Sequence, residues 1–93
     1  MQGMNKTSDD QGFQFPGVFE ISAMGPADAG LEQAILAALQ AAGLRVLDET
    51  LTSRTSSAGR FISVRIHFHA DDRAQYEAAH AALRANPAVK WTL

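Results

Sequence analysis

The residues with the most chemistry to offer sit close together in one stretch. Ser63, Arg65, His67 and His69 recur at every second position between residues 60 and 70. Between them stand Ile62, Val64, Ile66, Phe68 and Ala70. Alternation with a period of two puts the first set on one face of a β-strand and the second set on the other. His67-x-His69 therefore places two imidazoles on one side, about 7 Å apart along the strand. Two imidazoles at that spacing suit a shared metal ion, provided that a third ligand comes from elsewhere. Arg65 beside them suits a small anion, because a guanidinium offers several donors in a fixed fork. The ordinary alternative is a polar sheet face, exposed to solvent or covered in a dimer.

A second alternating segment supplies candidates for that face. In residues 18–24, Phe19, Ile21 and Ala23 share one side; Glu20 and Ser22 share the other. If the two strands pair antiparallel, Glu20 comes near His67 or Arg65. Glu20, Ser22, Ser63, Arg65, His67 and His69 thus form the expected ligand or interaction face. Glu20 is the only nearby third ligand, so the expectation is no metal and no cofactor. His80 falls in a helical segment and is expected at the edge of that helix's apolar stripe, away from the pair.

Other chemistries find little support. Cysteine is absent, which excludes disulfides, thiolate nucleophiles and cysteine-based metal centres. Serine, histidine and aspartate occur without the context that marks a nucleophile, and no glycine-rich phosphate loop is present. No catalytic residue is assigned, and the expectation is a protein that is not an enzyme. Eight Lys and Arg against ten Asp and Glu give a formal charge of −2 with no polybasic run. That argues against a general nucleic-acid clamp, whose affinity comes chiefly from neutralised phosphates. RNA recognition on an open sheet needs exposed aromatic platforms. Here Phe61 is the one ring expected there, so RNA binding ranks low and no nucleic-acid partner is expected. No apolar run approaches the roughly 20 residues that cross a bilayer, so no membrane partner is expected either.

The elements that position these residues can be read along the chain. The 93 residues are 46% apolar and 19% charged, the mix of one small globular domain. Residues 1–14 are polar and read as a flexible tail without a signal sequence; residues 15–93 read as a single domain. With no cysteine, a cytoplasmic location is expected. Phe15-Pro16-Gly17 leads into the first strand, and Gly25-Pro26 stops it. Asp28 is the expected N-cap of a first helix whose stripe is Leu31, Ile35, Ala38, Leu39 and Ala42, with Gly43 just past its end. A second strand covers residues 44–51; its phase is ambiguous, because Val46 and Leu47 fall on opposite faces. Residues 52–59 are small and polar and read as a loop or long hairpin connection, into which the strand extends a few residues. After the long third strand, Asp72 and Gln75 resemble a capping box. The helix they open carries Tyr76, Ala79 and Leu83 as its stripe, with Ala82 beside them, and Asn86-Pro87 ends it. Val89, Trp91 and Leu93 alternate in a short closing strand.

The order is β-α-β-β-α-β. Short, right-handed connections favour an α+β, ferredoxin-like plait: a four-stranded antiparallel sheet in the order 4-1-3-2 with two helices on one face.

Several landmarks are similar to a known pattern. Phe15-Pro16-x-x-Phe19, then Met24-Gly25, resembles the start of the YbeD-like family of small bacterial proteins. Ser56-Ser57-x-Gly59-x-Phe61-x-Ser63-Val64 resembles that family's approach to its third strand, and Tyr76 and the ending at residues 89–93 fit the same layout. The resemblance spans residues 15–93. It implies a ferredoxin-like fold, similar to the ACT regulatory domains of amino-acid metabolism, in a family without an assigned biochemical function. Related sequences often carry a cysteine where Gly17 stands and a lysine where Ser22 stands, so the resemblance implies no role here that needs either group. Gly25 and Gly59 are read as turn glycines. The functional expectation is a regulatory or interaction module, with ACT-like sensing of a small metabolite at a homodimer interface. The alternative is a protein–protein adaptor without a ligand; RNA binding and metal binding rank below both.

Overall fold

The computed structural model describes residues 14–92. The tail expected at residues 1–14 and the last strand residue, Leu93, therefore lie outside the described residues, except for Gln14. Six elements follow in the order β1 (Gly17–Pro26), α1 (Leu31–Ala41), β2 (Arg45–Thr55), β3 (Phe61–Ala70), α2 (Arg73–Arg84) and β4 (Trp91–Thr92). The sheet is antiparallel with the order β2-β3-β1-β4. This is the ferredoxin-like plait that the element order favours.

β1 and β3 form the centre. Their register runs unbroken from Gly17 opposite Ala70 to Pro26 opposite Phe61. Ile21, Ala23, Val64, Ile66, Phe68 and Ala70 lie buried on one face and meet Leu31, Ile35 and Leu39 of α1 and Ala79 and Leu83 of α2. Removing this apolar surface from water is the main force holding the fold together. One end of the core is aromatic. The Phe19 and Tyr76 rings stand 5.2 Å apart, edge to face. Phe15 meets Phe19 at a tilt with centroids 5.2 Å apart, and Phe68 stacks at 6.3 Å on Tyr76.

The helix ends divide the expectations. Asp72 caps α2, accepting from the Gln75 amide at 3.0 Å, while the Gln75 side chain accepts from the Asp71 amide at 2.8 Å. The return bond thus lands one residue earlier than in a standard capping box. Gly43 ends α1 with φ of +83°; its amide donates to the Gln40 carbonyl, and the Leu44 amide donates to the Leu39 carbonyl. That pairing is the Schellman motif, closed by the buried Leu39 and Leu44. Asp28, however, does not cap α1. It lies in the turn before it, and the N-cap is Gly30 with no side-chain cap. Ala42 of the expected stripe is exposed.

One further expectation changes. Gly25 is not a turn residue: it lies within β1, and a Cβ there would collide with the Ala88 carbonyl oxygen. The glycine lets two backbones pass closely. The second strand runs into the polar stretch as far as Thr55, with residues 52–55 pairing with Ile62, Ser63, Val64 and Arg65. Their polar composition suits an edge strand, and cross-strand pairing outweighs local composition.

A bulge explains the mixed phase of β2. Leu47 pairs with His67 and Thr52 with Arg65, so residues 48–51 face the single residue Ile66. Three extra residues, an odd number, reverse which side chains face the core. Val46 and Leu51 consequently both pack on the core despite their opposite parity. Thr50 closes the bulge. Its hydroxyl donates to the Leu47 carbonyl at 2.6 Å and accepts from the His67 amide at 2.9 Å.

Candidate functional site

Both helices cover one face of the sheet, which leaves the other open. Register assigns its occupants. Glu20 stands opposite His67, Ser22 opposite Arg65, Met24 opposite Ser63 and Val18 opposite His69. The six residues expected on this face are brought together there. The Arg65 Nε lies 3.4 Å from Glu20 Oε2, a diagonal pair between neighbouring strands. The two side chains are 62% and 45% exposed, so water screens the pair and it adds little to stability.

The two histidines differ in their surroundings. His69 Nδ1 lies 3.5 Å from Asp71 Oδ1 at the end of the strand. His67 sits deeper, between Glu20 and Leu47 across its two neighbouring strands. Its Nδ1 is buried without a hydrogen-bond partner. Among the described residues, no three His, Cys, Asp or Glu side chains gather closely enough to hold a metal ion. Glu20, the ligand a His67-x-His69 site would need, is engaged by Arg65.

Sequence reasoning missed the contribution of β2. Arg45 pairs with His69, Leu47 with His67, Thr52 with Arg65 and Arg54 with Ser63, so all four join the open face. The signal available was the alternation of Thr52 and Arg54, hidden by the bulge before them. It also missed Trp91. Expected to share a face with Val89 and Leu93, in alternation with Lys90 and Thr92, it pairs with Met24 and is 52% exposed. Its ring meets Phe61 edge to face at 5.7 Å. Val89 instead packs against the core.

The open face has a shallow relief. A depression of about 310 Å³ is lined by Thr52, Ser53, Arg54, Ser63 and Arg65. On the other side of the molecule, His80 rests against the Tyr76 ring with centroids 4.8 Å apart. Its Nε2 is buried and unpartnered. Burial, and then the nearby Arg84 charge, hold its pKa below the ordinary 6.5.

These features can be set beside known proteins. Residues 10–93 match the family described as "Protein of unknown function (DUF493)". The chain belongs to the DUF493 family. It is 50% identical over 90 residues to a UPF0250 protein of Xanthomonas campestris pv. campestris, covering 97% of this chain and 98% of the relative. It is 56% identical over 84 residues to a UPF0250 protein of Stenotrophomonas maltophilia, covering 90% and 91%. YbeD belongs to the UPF0250 family, so the Phe-Pro and Met-Gly landmarks pointed to the right relatives. The solution structure of HP0495 from H. pylori superposes with a TM-score of 0.72 across 99% of this chain and 98% of that one. At 13% identity, that likeness speaks for the DUF493 fold alone. No helix among the described residues is long and apolar enough to cross a membrane.

Proposed function

We propose that this DUF493 protein is a non-enzymatic interaction module that engages a partner chain through the open face of its sheet. The supporting observation is the division of the sheet. One face is spent on the helices. The other carries Glu20, Arg65, His67 and His69 in the middle, with the exposed side chains of Val18 and Trp91 toward its margins. Exposed apolar groups flanking a polar centre suit a macromolecular contact better than a buried reaction centre. The relief is shallow, and no nucleophile, base and oxyanion donor converge on it. Because the Glu20–Arg65 pair is exposed, it can be altered without undoing the fold.

The test is native mass spectrometry of the protein taken from cells, followed by hydrogen-exchange footprinting of whatever complex is found, homodimer or heteromer. We expect protection of β1 and β3 amides and of the β2–β3 hairpin. Arg65→Glu should abolish the complex while moving the thermal midpoint by less than about 8 °C, since an exposed ion pair contributes at most about 1 kcal/mol. Protection confined to the outer surfaces of α1 and α2, or a complex indifferent to Arg65→Glu, overturns the reading.

A second reading, regulatory sensing of a small metabolite at a dimer interface, draws support from the depression between β2 and β3. A panel of amino acids and small carboxylates separates it from the adaptor reading. A sensor's thermal midpoint rises with ligand concentration by mass action, and an adaptor's does not.

A further inference from the structure

We infer that the β2–β3 end of the open face is an oxyanion site, with Arg54 and Arg65 as its paired cations and Thr52 and Ser63 as its hydroxyl donors. It rests on the open face being a binding surface, but it names a ligand class and residues that the partner reading does not need.

Register is the first support. Thr52 lies opposite Arg65, and Ser63 lies opposite Arg54, on the same side of the ladder. The two arginines are therefore diagonal neighbours across adjacent strands, within reach of one bound group. Like charges so placed repel each other, and an anion between them relieves that repulsion.

Charge balance is the second. Arg65 has Glu20 on its β1 side. Arg54, on the opposite side, has no carboxylate within ion-pair distance among the described residues. The residues lining the depression are Thr52, Ser53, Arg54, Ser63 and Arg65, with no carboxylate among them, and of these Thr52 and Ser63 share the open face with the two arginines. Arginine forks match carboxylate and phosphate oxygens in pairs, and hydroxyls supply the remaining donors.

Size is the third. About 310 Å³ lies at the lower end of the roughly 300–1,000 Å³ found for small-molecule sites. It suits a group with two or more negative oxygens: a phosphate, or a short dicarboxylate. The bulge at residues 48–51 contributes indirectly. By reversing the faces of β2, it turns Thr52 and Arg54 toward Arg65 instead of toward the helices.

The experiment is a chemical-shift titration of the full chain at low ionic strength, with inorganic phosphate and malonate as separate probes and sodium chloride as the reference. We expect saturable shifts of the amides of residues 52–54 and 63–65 with at least one probe. The probe bound more tightly names the ligand class. Arg54→Ala should weaken that binding at least fivefold, Thr52→Val less, and Arg60→Ala, outside the lining, not at all. Shifts no different from those with chloride, or saturation unchanged in Arg54→Ala, overturn the inference. All three side chains are exposed, so the variants are expected to fold, and an unchanged amide spectrum without probe verifies it. Loss of the oxyanion site with an intact partner complex leaves the interaction reading standing; loss of the complex with probe binding intact does the reverse.

Discussion

His80 is the residue whose protonation the fold resists most visibly. Its ring lies on Tyr76 and its Nε2 is buried without a partner. Desolvation first and Arg84 second hold its pKa below 6.5. In the unfolded chain the ring returns to its ordinary value. As pH falls below about 6.5, the unfolded state takes up a proton that the folded state resists, so stability falls. The loss ends once pH passes below the folded pKa. The expected result is a denaturant midpoint that declines between neutral pH and that lower value, and a decline that is smaller in His80→Leu. An equal slope in the variant would assign the effect to other groups. Gly25 makes a different prediction at the same scale. Ala at this position must push the Ala88 backbone away, and overpacking of this kind costs about 2 kcal/mol. Urea unfolding of Gly25→Ala measures it.

At the scale of elements, the bulge in β2 is the feature with the widest consequences. It leaves the His67 amide without a ladder carbonyl, and the Thr50 hydroxyl takes that place while donating to Leu47. Thr50→Val keeps the shape and removes both bonds. Leaving a part-buried donor and acceptor unpaired costs about 1–3 kcal/mol. Amide exchange at His67 should accelerate more than at Val64, whose pairing with Ser53 lies beyond the bulge. Uniform acceleration across β3 would instead indicate plain global destabilisation. The bulge also interrupts an edge strand of 11 residues. Irregular edges of this kind discourage indiscriminate strand addition, which fits a contact made through the sheet face. β4, two residues long among the described residues, is the opposite edge.

Across the whole molecule, charge is unevenly divided. The net value of −2 conceals an open face that holds Arg45, Arg54 and Arg65 against Glu20, with Asp71 beside His69 at its end and Asp48 and Glu49 in the bulge of β2. Asp28, Glu32, Asp72 and Glu77 belong to the helices and the turns that lead into them. Net charge therefore misleads about partners, because recognition depends on the local field. Anionic partners or ligands should associate more slowly as salt rises, an effect that stopped-flow rates at two ionic strengths would record.

The sequence by itself determined the element order, the faces of the two central strands and the grouping of Glu20, Ser22, Ser63, Arg65, His67 and His69. These follow from periods of two and 3.6, which are local properties of the chain. Even the antiparallel approach of Glu20 to Arg65 needed only the topology that six short-linked elements permit. Tertiary structure alone decided the bulge, the placing of Arg54 beside Arg65, the exposure of Trp91 and the close passage at Gly25. Each depends on which residue of a distant segment lies opposite, and an inserted residue or a two-residue strand shifts that without altering any local pattern.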